Sequence, residues 1–263
     1  MPYLGGNQLK KRVQPHMRVG EGDVEKVTLI TGNPDRVPII ASKFKDGEEV
    51  ARYRGFVTYR AYTPKGGIPV TISGTGIGAP STHICIEELS NLGVETFIRV
   101  GSCGGIDPSV TVGDVVVPTG CVRDERTSLN YTPLEYPAVA TPKWHIALHD
   151  EIKKLLPPDR IHTGICWTSD LYYLDRFQEV LDLWTRANVK CVEMESSLLY
   201  IFASTRGISA ASILACDGNL HGAQKSEQAE ESEASGEQDP LLVEAIEKEI
   251  EATVNAIDRI YGE

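Results

Sequence analysis

Arg99 stands inside an apolar run, Phe97-Ile98-Arg99-Val100, that ends abruptly in Gly101-Ser102-Cys103-Gly104-Gly105. Burying an arginine is costly unless an anion meets it. Three glycines in five positions give a backbone that can turn sharply and approach a ligand closely. Arg99, the Ser102 hydroxyl and the neighbouring amides therefore form half of an oxyanion site, or else Arg99 pairs with a structural carboxylate.

Other chemically useful groups stand at the ends of other apolar runs. Lys26 to Thr31 leads into Gly32-Asn33-Pro34-Asp35-Arg36, a strand, turn and helix start that presents backbone N–H groups to an anion. Arg36 in the first turn opposes the helix dipole, a conflict that a bound phosphate or simple solvation resolves. Ile161 to Thr168 gives way to Ser169-Asp170-Leu171-Tyr172-Tyr173, whose aromatics either stack on a planar ligand or pack in the core. Val189 to Val192 runs into Glu193-Met194-Glu195 at a helix start. Carboxylates are favoured there in any case, and one of them can instead accept hydrogen bonds from the vicinal hydroxyls of a sugar. Ala210 to Cys216 ends in Asp217-Gly218-Asn219, where ligands of α/β sheets bind, although Asp-Gly is also a good turn. His16, after Pro15, lies in a polar arm and is either solvated or reaches a neighbouring subunit.

Positioning these groups falls to alternating strands and helices, an α/β pattern. The turn at Gly32 predicts a helix over Val37 to Phe44. Arg54 to Tyr62 and Ile68 to Ile72, joined by Pro64-Lys65-Gly66-Gly67, read as a hairpin. The glycine ladder Gly74-Thr75-Gly76-Ile77-Gly78 lacks the spacing and the acidic residue of a dinucleotide fingerprint. Pro80 opens a helix with Cys85, Ile86, Leu89 and Leu92 on its apolar face and Gly93 at its end. Further on, Val112 to Val117 reads as a strand, Arg123 to Pro142 as a long surface excursion and Trp144 to Leu156 as a helix. A closing helix from Pro240 carries Val243, Ile246, Ile250, Val254, Ile257 and Tyr261 on one face.

With 263 residues, 41% of them hydrophobic, the chain can bury a large core, and it reads as one domain over 1–263. Residues 1–22 form the N-terminal arm and 224–239 an acidic, solvated loop. The 26 basic and 37 acidic residues give a net charge of −11, which excludes nonspecific binding to nucleic acid or anionic membrane. An anion must then be held by a local set of arginines. The six cysteines contain no CxxC pair and read as reduced core thiols, and neither they nor the histidines have metal-ligand spacing. No run suits a signal peptide or a bilayer span, so the cytoplasm is the expected compartment.

The motifs GNPDR at Gly32–Arg36, RGF at Arg54, GTGIGAPS at Gly74–Ser81, RVGSCGG at Arg99–Gly105, SDLYY at Ser169–Tyr173, VEMES at Val192–Ser196 and CDG at Cys216–Gly218 occur in one order. Together they resemble the nucleoside phosphorylase-I family of hexameric purine nucleoside and uridine phosphorylases. The resemblance implies a single α/β domain whose central mixed sheet curls towards a barrel flanked by helices. It also implies a homohexamer built as a trimer of dimers, and reversible phosphorolysis of a nucleoside with inorganic phosphate as co-substrate and no cofactor. It places phosphate on Gly32, Arg36, Arg99 and Ser102, with Arg54 from the adjacent subunit. Glu195, Met194 and His16 from across the dimer would hold the ribose, and Tyr172, the Val192-Glu193 backbone and Asp217 the base.

Asp217 is the implied acid at purine N7. An aspartic acid of ordinary pKa, about 3.9, is ionised at neutral pH, so burial or the arrival of substrate must raise it. Bacterial purine enzymes of this family place an activating arginine after the aspartate, yet no arginine lies between Asp217 and Arg259. The Gln-x-Arg pair by which uridine phosphorylases read the pyrimidine is absent from Tyr173-Leu174-Asp175-Arg176-Phe177-Gln178. The purine reading follows, with uridine and then methylthioadenosine phosphorolysis as alternatives. Nucleoside hydrolysis and noncatalytic nucleoside binding are the rivals from other classes.

Overall fold

The computed structural model describes residues 13–221 and 239–262. Five consecutive buried residues, Val27–Thr31 (β1), make a strand covered on both faces, as a parallel sheet requires. A turn follows, then the short helix Arg36–Ala41 (α1). The antiparallel strands Lys45–Tyr53 (β2), Phe56–Tyr62 (β3) and Pro69–Gly74 (β4) come next, and β4 lies parallel to β1. β2 was not anticipated. Its sequence, KDGEEVARY, is polar because it is an edge strand facing water.

The helix Ala79–Asn91 (α2) feeds Thr96–Gly105 (β5), and the remaining strands are Val115–Arg123 (β6), Ala138–Val139 (β7), Ile161–Thr168 (β8), Cys191–Glu193 (β9) and Ser209–Asn219 (β10). β5 pairs β10, β10 pairs β6, β6 pairs β8, β8 pairs β9, and β9 returns to β5. The sheet thus closes into a barrel of five strands, with β1, β4, β3 and β2 extending from it as an open wing. Pro142–Ile152 (α3), Phe177–Arg186 (α4), Ser196–Arg206 (α5) and Pro240–Tyr261 (α6) supply the other helices.

β5 is where wing and barrel meet. On one side it pairs β10 along its whole length. On the other, β1 accompanies it only from Thr96 to Arg99, and β9 takes over at Gly104. Between those points the sheet splits, and a crevice opens beside Val100 to Cys103.

Several sequence expectations shift. The Gly101 segment is no loop: β5 runs straight through to Gly105, held by β10. The strand expected at Val112 begins at Val115 and continues past Pro118 with a register shift. The excursion after Arg123 is not wholly superficial, because buried Arg123 donates to the carbonyl oxygens of Thr132, Pro133 and Tyr136 and pins it. α4 was not expected, and the helices expected over Val37 to Phe44 and Trp144 to Leu156 both start and end earlier. Part of the arm is core: Met17 and Val19 are fully buried. Most of the acidic loop, 224–238, lies outside the described residues, but Asp239 caps α6 by accepting from Leu241 N–H at 2.8 Å. All six cysteines are free thiols. Among the described residues no helix is long and apolar enough to cross a membrane.

Candidate active site

The crevice in the sheet is the kind of switch point at which α/β proteins bind ligands, and Arg99, Glu193, Glu195 and the Gly32 turn meet there. Arg99, only 4% exposed, leaves β5 just where β1 departs. Its Nε donates to Glu193 Oε2 at 2.8 Å and its Nη2 forms a salt bridge with Glu195 Oε2 at 2.7 Å. The alternative of a structural carboxylate partner is therefore realised twice. A β-carbon placed on Gly32 would lie 3.9 Å from both Arg99 Nη1 and Glu195 Oε1. The turn after β1, the β5 arginine and the Glu195 carboxylate thus occupy one small volume, with Nη1 directed at the Gly32 turn.

The two glutamates divide their work. Glu193 Oε2 also accepts from the N–H groups of Glu195 and Ser196, each at 2.9 Å, and its Oε1 accepts from Thr168 Oγ1 at 2.6 Å. Its side chain is committed to capping α5 and steadying Arg99, which leaves only its backbone for a base. Glu195 Oε1 accepts from Gly78 N–H at 2.6 Å, a bond that ties α5 to the start of α2. Burial and the neighbouring Glu193 charge raise the Glu195 carboxyl above its ordinary range, while Arg99 and the Gly78 N–H pull it back. Burial disfavours the Arg99 cation, but Glu195 and Glu193 outweigh that and leave it more firmly protonated than a free arginine.

The Gly32 turn departs from expectation. Asp35 N–H is taken by Asn33 Oδ1, Arg36 N–H by the Asn33 carbonyl and Val37 N–H by the Pro34 carbonyl. α1 is also only six residues long, so its dipole offers an anion little. What remains available on this side is the Gly32 end of the turn and the half-buried Arg36 side chain. Ser102, half-buried, sits opposite Ala215 of β10. Two residues on, a register shift between Cys216 and Gly218 lifts Asp217 out of the ladder and leaves it exposed at the barrel mouth.

Tyr172 is 76% exposed, and its ring meets Tyr173 edge-on with centroids 5.0 Å apart, so core packing is not its role. Val192 and Met194 are half-buried, flanking Glu193. His16 and Arg54 have their nearest partners elsewhere. His16 Nδ1 lies 2.6 Å from Glu88 Oε1, and the same carboxylate accepts from the backbone N–H groups of His16 and Met17. Arg54 is exposed, in a left-handed conformation, with its guanidinium 5.5 Å from the Tyr53 ring centroid.

Sequence reasoning missed Thr168, Glu88 and Glu249. Glu249 had a signal, since it is an acid on the inward face of an amphipathic helix. It is 1% exposed, and burial pushes its carboxyl well above the usual range.

A five-stranded barrel with an arginine site in a split of its sheet defines a class, and comparison with known proteins gives it a family. The sequence profile of the phosphorylase superfamily matches residues 26–254. The chain belongs to that superfamily, in agreement with the nucleoside phosphorylase-I motifs. It is 37% identical over 250 residues to a guanosine phosphorylase of Halorubrum lacusprofundi, covering 93% of this chain and 98% of that protein. It is 37% identical over 225 residues to a uridine phosphorylase of Thermococcus kodakarensis, covering 81% and 79%. Against the uridine phosphorylase of Escherichia coli, identity is 35% over 213 residues, covering 75% and 83%.

Proposed function

We propose that the protein is a nucleoside phosphorylase, a pentosyltransferase, that cleaves purine nucleosides reversibly to free base and pentose 1-phosphate. The observation that carries this reading is the pairing of a buried arginine site beside Ser102 with an exposed aspartate, Asp217, lifted from the adjacent strand at the same barrel mouth. Phosphate binds through the Gly32 N–H, Arg36, Arg99 and Ser102, and Arg54 enters from a neighbouring subunit. Glu195 accepts from the ribose 2′ and 3′ hydroxyls, Met194 packs against the sugar, and His16 of a second copy meets the 5′ hydroxyl. Tyr172 and the Val192-Glu193 backbone line the base.

As the bond between C1′ and the base nitrogen breaks, positive charge grows on the ribose and electrons collect on the purine. Phosphate stabilises the former and then bonds to C1′, while protonation of N7 by Asp217 relieves the latter. A positioned acid contributes roughly 10²–10⁴-fold. A pyrimidine has no imidazole nitrogen to receive that proton, which is why Asp217 favours purines. The uridine phosphorylases among the relatives, 37% and 35% identical, favour uridine as the second reading.

An absorbance assay with guanosine, inosine, adenosine, methylthioadenosine and uridine, each with and without phosphate, tests the reading. Phosphate-dependent loss of guanosine or inosine is the expected result. Faster loss of uridine would overturn the purine assignment, and turnover without phosphate would overturn phosphorolysis. Association into a homohexamer with sites shared between subunits belongs to the same reading. It predicts that mixing inactive Arg54→Ala and Arg99→Ala chains restores part of the activity.

A further inference from the structure

Glu249 is a buried acid that the proposed chemistry does not use. It projects from α6, which packs on β10 and β5. Three of the four neighbours at one turn's distance, Ala245, Ala252 and Thr253, are small and buried, and the fourth is Ile246. One of its carboxylate oxygens, Oε2, is buried without any hydrogen-bond partner. The backbone N–H of Ala215 partly offsets the burial of the carboxyl, and Ala215 is the residue that faces Ser102 across the ladder. Glu249 therefore stands directly behind the anion crevice, against the strand whose opposite neighbour carries Ser102.

The charged and titratable groups that reach it come from two other elements. Arg36 arrives from α1, and Arg99 and the Cys103 thiol from β5. Glu193 and Glu195 lie on the other side of Arg99. An ionised carboxylate with an orphaned oxygen in so dry a place is strongly disfavoured, whereas the neutral acid is tolerated.

Charge arithmetic gives that proton a function. Arg99 already carries two carboxylates, so Arg36, Arg99, Glu193 and Glu195 together sum to zero. An ionised Glu249 would make the cluster negative just where a dianion has to enter.

We propose that Glu249 is the charge regulator of the anion site: as the neutral acid it leaves Arg36 and Arg99 to a phosphate dianion, and on losing its proton it competes with that anion for them. Phosphate affinity is then coupled to proton binding at a residue that never touches the ligand. This rests on the anion-site part of the proposed function and not on which nucleoside is cleaved.

The test is calorimetric titration of the full chain with sulfate, which stays a dianion throughout the range and so separates the protein's titration from the ligand's. Between about pH 6 and pH 9, wild-type affinity should fall at least about tenfold, while Glu249→Gln should bind as tightly as wild type does at the acid end and change less than about twofold. Glu249→Met, which carries no charge at any pH, should show the same flat profile if the glutamine variant folds poorly. A fall that survives in both variants belongs to Cys103 or another group and overturns the proposal, as does a wild type whose affinity does not change, or no sulfate binding at any pH. Sulfate binding with the expected profile but no nucleoside turnover would sink the proposed function and leave the regulator standing.

Discussion

The Arg99 guanidinium lies folded against the α-carbon of Gly101. A β-carbon built on Gly101 would sit 2.6 Å from Arg99 Nη1 and 2.9 Å from its Cζ. No atom pair of this kind fits, and Arg99 is not free to swing aside because Glu193 and Glu195 hold it at Nε and Nη2. The glycine is required for space rather than for a turn, since the strand continues through it. Gly101→Ala should therefore displace the guanidinium at its Nη1 edge. We expect the KM for phosphate to rise at least about tenfold, equivalent to about 1.4 kcal/mol, with a much smaller change in the KM for nucleoside. Equal effects on both constants would show that Gly101 matters only for folding.

Removing the cation is a harsher change. Arg99→Met leaves two buried carboxylates facing each other without their shared counter-ion, a situation that costs about 3–5 kcal/mol. The loss should depend on pH. Burial and Glu193 already raise Glu195 in the native protein, so folding favours its protonated form. That contribution is complete below the unfolded-state value of about 4.3 and is lost as pH rises through the folded value. Without Arg99 the folded value climbs further, so the stability deficit of Arg99→Met should narrow as pH is lowered from 8 towards 5. Urea denaturation at several pH values measures it, and a deficit independent of pH would mean that the two carboxylates do not interact through Arg99.

Glu249 gives a stability prediction of its own, independent of any ligand. Burial raises its carboxyl, with Arg36 and Arg99 opposing, so the folded chain retains a proton that the unfolded chain releases. Its contribution is complete below the unfolded value and disappears as pH rises through the folded one. Glu249→Gln has nothing to lose in that range. Its Tm should gain on wild type as pH goes from 6 to 9, by about 2–4 °C for each kcal/mol of wild-type loss. A gap between the two that stays constant with pH would show that the folded Glu249 carboxyl is already ionised at pH 6, as in the unfolded chain.

What could be read from the chain follows a physical division. β1, β8 and α2 were legible because each announces itself locally, by a run rich in β-branched and apolar residues or by proline and glycine at its ends. β2 was not, because an edge strand of Lys, Asp and Glu has no local hydrophobic signal and exists only through its pairing with β3. The continuation of β5 through its glycines is likewise tertiary, since β10 supplies the ladder that Gly101, Gly104 and Gly105 would not sustain alone. In the site, Arg99 stood out as a cation in a strand, but nothing local told that both nearby glutamates would clasp it. Glu88, an acid on the buried face of α2, carried the same local signal as Glu249, but the partners that satisfy it, residues 16 and 17, lie more than seventy positions away in sequence.

Asp217 makes the sharpest prediction, because its exposure separates chemistry from folding. Asp217 is exposed at the shift between Cys216 and Gly218, so Asp217→Ala should change stability by less than about 1 kcal/mol. On the proposed mechanism the same change slows phosphorolysis of guanosine or inosine by roughly 10²–10⁴-fold, the usual contribution of a positioned acid. A nucleoside methylated at N7 provides the decisive comparison. Its base already carries the positive charge that protonation would create, so the acid has nothing to add. Asp217→Ala should then cleave 7-methylguanosine at close to the wild-type rate while failing on guanosine. If both substrates slow by the same factor, Asp217 orients the base rather than protonating it. If neither slows, the proton reaches the purine by another route.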